Sequence, residues 1–194
     1  IEPRPAVLPV HFFLHQPAMT PTLFQALLGT SFYSLPPVVR TLHAVRGSGR
    51  YVGRATVVRG HNALSRLCGR VAGLPPEMQD APLAVLFQSN DRGETWQRDF
   101  NGHAMQSRLH LCGPRLRGER LGPLRFRFSL HVYDEALHWR VQRVRVLGLP
   151  LPAGWFDGVH CREYEHDGRY VFQVEAALPL AGMLIRYEGW LEPA

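Results

Sequence analysis

The chain has 194 residues, 45% of them hydrophobic and 20% charged, which is enough for a folded domain with a substantial core and excludes a disordered or fibrous class. Its formal charge is +6, and all 22 basic residues are arginine. These run from Arg4 to Arg186 without forming a block, which argues against a nucleic-acid partner. No apolar run approaches the ~20 residues needed to cross a bilayer, so no membrane is expected.

The chain opens Ile1-Glu2-Pro3-Arg4-Pro5, with neither methionine nor a signal-peptide layout, and reads as a trimmed or excised piece. The three cysteines, Cys68, Cys112 and Cys161, are odd in number and form no CxxC pair. They read as free thiols in a reducing compartment, which points to the cytoplasm.

In chain order, residues 1–19 carry four prolines and read as an extended arm, with residues 20–194 as one β-barrel domain. Thr20-Pro21-Thr22 reads as a helix start, with Thr20 as the cap and Pro21 in the first helical position. Leu23, Phe24, Leu27 and Leu28 follow at helical spacing, and Gly29 is a stop. Gly47-Ser48-Gly49 reads as a turn, followed by a strand over 50–59. A second helix is expected within 61–73, with Leu64, Leu67, Cys68 and Val71 on one face and Gly73 as its end.

From residue 82 the chain is β in character. A strand over 82–88 leads through the turn residues Asn90-Asp91-Arg92-Gly93 into a long strand or bent pair over 95–111, broken near Asn101-Gly102. Residues 124–133 alternate cleanly, with Leu124, Phe126, Phe128, Leu130 and Val132 inward. In residues 137–146 the apolar phase slips by one, which marks a β-bulge at Gln142-Arg143. Leu149-Pro150-Leu151-Pro152 reads as a rigid connector, and a last strand pair spans 170–178 and 183–191. About eight strands and two short helices predict a mainly β fold, an antiparallel closed or nearly closed barrel of the calycin (lipocalin-like) kind.

The stretch Glu94-Thr95-Trp96-Gln97-Arg98-Asp99-Phe100 poses the sharpest question. On a strand, Trp96, Arg98 and Phe100 share one face. Two large aromatics should point into a core and carry Arg98 with them, where it either snorkels to a rim or sits in a binding cavity.

Several pieces together resemble the bacterial family called domain of unknown function 4166. They are Leu28-Gly29 with Phe32, Leu35-Pro36, Arg40, Leu42-His43, Val58-Arg59-Gly60, Trp96 to Phe100, Glu119-Arg120 with Gly122-Pro123, residues 147–152, Pro179 to Gly182, and Tyr187-Glu188-Gly189-Trp190-Leu191. The resemblance covers about residues 22–193. It implies an accessory domain often found behind a saccharopine-dehydrogenase-like or short-chain-dehydrogenase-like domain, and it implies no established activity. On this pattern the polar positions to watch are His43, Arg98, Glu119 and Tyr187. Arg98 and Glu119 are expected to meet inside the barrel or at its mouth with His43 and Tyr187 nearby, either as a buried ion pair or as a ligand site.

Other chemistries read weakly. His11 with His15, and His160-Cys161 with His166, lack structural-zinc spacing, so no metal is expected. No dinucleotide loop or G-x-S-x-G elbow is present, Ser107 and Ser129 have no acid–base partners nearby in sequence, and no cofactor is expected. Trp139, Trp155, Trp190, Phe126 and Phe128 could line a pocket. The leading expectation is a barrel that binds a small, mostly apolar ligand through Trp96, Phe100, Arg98, Glu119, His43 and Tyr187, with isomerase or cyclase chemistry in its strongest form. The alternative is a non-catalytic module docking on a dehydrogenase-like domain through an exposed apolar or arginine-rich face.

Overall fold

The computed structural model describes residues 20–113 and 116–194. The expected arm at 1–19, with His11 and His15, lies outside the described residues. Among the described residues, eleven strands form a single antiparallel sheet: β1 (Gly47–Arg59), β2 (Met78–Asn90), β3 (Gly93–Phe100), β4 (His103–Leu111), β5 (Arg117–Leu121), β6 (Leu124–Tyr133), β7 (Ala136–Val146), β8 (Leu149–Leu151), β9 (Gly158–His166), β10 (Arg169–Leu178) and β11 (Gly182–Pro193). β1 pairs with β11, and β6 pairs with β7, which pairs with β9. Ten strands therefore close into a barrel, with β8 as a short flap on β7. Closure leaves no long exposed strand edge.

The barrel has ten strands rather than about eight because β5 and β9 are polar, and a turn at Asn101-Gly102 divides the long 95–111 segment into β3 and β4. Gly47-Ser48-Gly49 is not a turn but the start of β1, paired with Phe87, Gln88 and Ser89 of β2. The expected bulge is present: Arg127 faces Arg143 and Phe128 faces Val141, so Gln142 is the extra residue. Leu149-Pro150-Leu151 folds back onto Val144–Val146 as β8 instead of serving only as a connector.

One barrel end is closed by helices α1 (Leu23–Leu28) and α2 (Pro37–His43), joined by a 3-10 turn at Gly29–Ser34. The α1 cap is Thr22, not Thr20. The Thr22 hydroxyl accepts from the Gln25 N–H while the Gln25 side chain accepts from the Thr22 N–H, a reciprocal box that Pro21 precedes. Gly29 ends α1 at φ 53°, a conformation that favours glycine. The sequence missed α2, where Pro37 starts the helix without needing a donor. Phe24, Phe32, Leu35, Val39 and Leu42 are buried in this plug, each stabilising it by roughly 1.5–3 kcal/mol. Thr22 Oγ1 also donates to the His43 carbonyl at 2.9 Å, tying the two helices together.

The helix at the other end, α3 (Ala63–Val71), is seated the opposite way from the expectation. Its N-cap Asn62 accepts from the Ser65 N–H. Ser65 and Gly69 are the buried positions, while Leu64, Leu67 and Val71 are exposed. The wall dictates this. Ser65 Oγ donates to the Met183 carbonyl at 2.8 Å, and a Cβ on Gly69 would stand 1.7 Å from Arg59 Nη2. Only small residues fit there, so the leucines turn outward.

Candidate functional site

The strand alternation read from the sequence holds at β3. Trp96 and Phe100 are buried inward, and Arg98 lies on the same face. Arg98 neither reaches the rim nor pairs with Glu119. Its Nη1 donates to Ser107 Oγ at 2.9 Å, and its guanidinium stacks 4.9 Å from the Trp96 ring centroid. The buried Arg98–Glu119 ion pair is absent among the described residues. Instead both side chains line a cavity of about 100 Å³ inside the barrel, together with Trp96, Phe100 and Tyr187.

Aromatic rings form much of the cavity wall. Trp96 stacks edge-on against Phe87 and Trp139, and Trp139 against Phe128. Tyr187 packs on Phe100 and Phe172. Burial first, with help from nearby carboxylates and the Cys161 thiol, raises the Tyr187 phenol well above its ordinary value against the opposing pull of Arg98. Tyr170 is raised in the same way by burial and then by the Glu163 charge. Both phenols are therefore neutral donors at neutral pH. Of the other aromatics singled out in the sequence, Trp139 and Phe128 line the cavity. Trp155 is exposed, and Trp190 carries Arg169 on its face at 4.2 Å.

His43 belongs to a different arrangement from the one expected. It is buried at the end of α2 behind Phe24, whose ring lies 3.7 Å away, and its Nε2 meets Glu163 Oε2 at 2.5 Å. Glu163 lines the cavity, so the helical plug orients one of the cavity's carboxylates. The Cys161 thiol lies 3.9 Å from the other oxygen, and burial with this negative neighbour raises it well above the usual thiol range.

The sequence reading missed both Glu163 and Arg117. Arg117 is fully buried, with its guanidinium 4.0 Å from the Trp139 centroid, 4.4 Å from Phe24 and 5.1 Å from Trp96. None of its nitrogens has a hydrogen-bond partner among the described residues. Burial lowers it to about 10, opposed by the charges of Glu119, Glu94 and Glu163. It remains charged at neutral pH, held by ring faces. A signal for each existed. Arg117, Glu119 and Leu121 alternate at strand spacing, as do Cys161 and Glu163, but neither strand has the apolar run that announces one.

The barrel wall opens beside the cavity. β7 and β9 pair only over residues 137–140 and 160–163. Past that ladder an outer groove of about 820 Å³ shares Trp139, Val159, Cys161 and Val174 with the cavity. Phe156, from the 3-10 turn Ala153–Phe156, borders this groove.

Ser129 Oγ lies 2.9 Å from His131 Nε2 and accepts from Gln142 at 2.9 Å. No carboxylate orients that histidine among the described hydrogen bonds and ion pairs, so the pair does not form a catalytic triad. No group of three or more potential metal ligands occurs among the described residues. The cysteines are free thiols, and no described helix is long and apolar enough to cross a membrane.

No curated protein matches the chain. Among solved structures, the crystal structure of Rv2717c from M. tuberculosis covers 82% of this chain and 99% of its own at 10% identity, with a TM-score of 0.42. That likeness is too slight to carry an argument. The family model described as Domain of unknown function (DUF4166) matches residues 35–191, and the chain belongs to that family.

Proposed function

We propose that the barrel interior binds a small, mostly apolar molecule carrying a carbonyl or acid group. The observation that carries this reading is the cavity, a mainly apolar wall rich in aromatic rings that Arg98, Glu119 and Tyr187 also line. Such a wall with few polar groups is the usual composition of a small-molecule site. Arg98 spends one donor on Ser107 and has others for a ligand oxygen. Glu119 has no hydrogen-bond partner among the described residues. At about 100 Å³ the space is smaller than the ~150 Å³ cavity that takes benzene. The enclosed part of the ligand is therefore at most about one ring, and anything longer extends through the β7–β9 opening.

In its catalytic form the same site is an isomerase. Arg98 holds a carbonyl oxygen, Glu119 removes a proton from the adjacent carbon as the enolate forms on that oxygen, and the proton returns at another carbon. No oxidant or cofactor is needed. The accessory-module reading asked for no cavity and an exposed patch. The cavity favours binding.

Fluorine NMR with fluorobenzoate and fluorobenzaldehyde tests the proposal. Broadened or shifted probe signals with the native protein, lost with Arg98→Met while its melting temperature holds, are the expected result. Unchanged probe binding by a destabilised Arg98→Met would overturn the role of Arg98.

A further inference from the structure

The barrel end opposite the α1–α2 plug is apolar where it should be polar. Leu64, Leu67 and Val71 of α3, Leu180 of the β10–β11 turn, and Leu147 and Leu149 around the β7–β8 turn have exposures from 42% at Leu64 to 84% at Leu180. The segments that carry them adjoin. Asn62 Nδ2 donates to the Ala181 carbonyl at 2.7 Å, which seats α3 on the β10–β11 turn. At its other end the Val71 carbonyl lies 4.0 Å from where a Cβ on Gly122 would stand, in the β5–β6 turn. Pro123 of that turn accepts from the Leu147 N–H at 3.2 Å. Six large apolar side chains thus stand exposed on adjoining segments of one barrel end. Large apolar side chains exposed together in this way mark an interaction site.

Beside this face, the fold gathers arginines that the sequence scatters. On the outer wall Arg120 faces Arg125, Arg125 faces Arg145, and Arg127 faces Arg143 across β5, β6 and β7. Like charges directly opposite one another destabilise a sheet. None of these five forms an ion pair among the described residues, and they border a groove of about 330 Å³. Arg125 and Arg145 lie next to the Leu124–Val146 pair, at the edge of the apolar face. α3 itself adds Arg66 and Arg70 and no acidic residue. The same end also carries the exposed carboxylates Glu77, Asp80, Asp99 and Asp157, Asp80 being paired with Arg54, so the attraction rests on the β5–β7 flank.

We infer that this end of the barrel docks on the surface of an anionic lipid bilayer. The exposed leucines enter the boundary between headgroups and acyl chains, while the arginine ladder meets lipid phosphates, which relieves its mutual repulsion. Apolar side chains at one end with arginines beside them are what a protein that lies on a membrane presents. The unpaired arginines beside the leucines favour an anionic lipid surface as the occupant. The inference stands on the exposed surface alone and does not depend on what the cavity holds.

The test is co-sedimentation of the full 194-residue chain with phosphatidylcholine vesicles and with vesicles also containing phosphatidylglycerol, at low and high salt. Binding to the anionic vesicles only, weakened by salt, is the expected outcome. The triple variant Leu64→Gln, Leu67→Gln, Val71→Gln and the double variant Arg125→Gln, Arg145→Gln are each expected to lose about tenfold in vesicle affinity with unchanged circular dichroism. These positions are exposed, so the fold does not depend on them. Absence of binding to anionic vesicles at low salt overturns the proposal. So does binding that ignores the leucine substitutions, which would be plain charge adsorption. Concentration-dependent dimers in size-exclusion chromatography that the leucine variant abolishes overturn it in favour of a second copy covering the face.

Discussion

His43 and Glu163, 120 residues apart in sequence, meet at 2.5 Å with both side chains almost wholly buried. The contact joins the helical plug to the barrel wall and fixes a carboxylate that borders the cavity. Removing one partner leaves the other buried and unpaired, which typically costs about 3–5 kcal/mol. Glu163→Ala is therefore expected to lose stability of that order in urea denaturation, and Glu163→Gln, which keeps an acceptor for the imidazole, to lose less. Equal losses would mean that packing and not the pairing holds the plug.

Alkaline pH should loosen the barrel. Tyr51, Tyr170 and Tyr187 are all raised above the ordinary tyrosine value of 10.0 by burial. Below about pH 10 both the folded and the unfolded chain keep these phenols protonated, and their contribution is intact. As pH rises past that point the unfolded chain ionises first, so stability is lost. Arg117, lowered to about 10 by burial, and Arg59, lowered by burial, work the other way above that value, two groups against the three phenols and the Cys161 thiol, which is raised as well. The expected result is a falling urea midpoint above about pH 10, with tyrosinate absorbance showing a fraction of phenols that ionise only on unfolding. A midpoint that holds while all six tyrosines titrate together would contradict the buried phenols.

Cys161 should be inert. Burial and the Glu163 charge hold its thiol protonated, and the thiolate is the reactive form. Mass spectrometry after treatment with a thiol reagent near pH 8 is expected to find Cys161 unlabelled in the folded protein and labelled in urea. Labelling of Cys161 in the folded state would mean that the β7–β9 opening admits both solvent and base.

α3 inverts the usual rule for an amphipathic helix. Gly69→Leu must displace Arg59, which donates to the Pro75 carbonyl, and overpacking of this sort typically costs about 1–3 kcal/mol. Leu67→Gln should change stability by less than about 0.5 kcal/mol, since the side chain lies in solvent. The reverse ranking in urea melts would mean that α3 packs by its leucines.

What the sequence made legible follows from where apolar alternation is strong. β6, the Gln142 bulge and the inward face of Trp96 and Phe100 were readable because each apolar side chain faces a buried side of the wall. β5 and β9 were not, because Arg-Gly-Glu-Arg-Leu and Gly-Val-His-Cys-Arg-Glu carry charged groups inward. Those same strands bring in Arg117 and Glu163, so the part of the candidate site that was illegible is the part that breaks the apolar rule. α3 misled for a different reason. Its periodicity was real, but the wall beneath it accepts only Ser65 and Gly69, a tertiary constraint that no helical window contains.

The most direct measurement is the native mass spectrum of gently purified protein, repeated after denaturation. A ligand held in the barrel predicts a small added mass on the folded chain that disappears on unfolding and is absent from a cavity-filling variant such as Val174→Phe. A bare mass in the native spectrum, together with no response of either fluorinated probe, would contradict a small-molecule site inside this barrel.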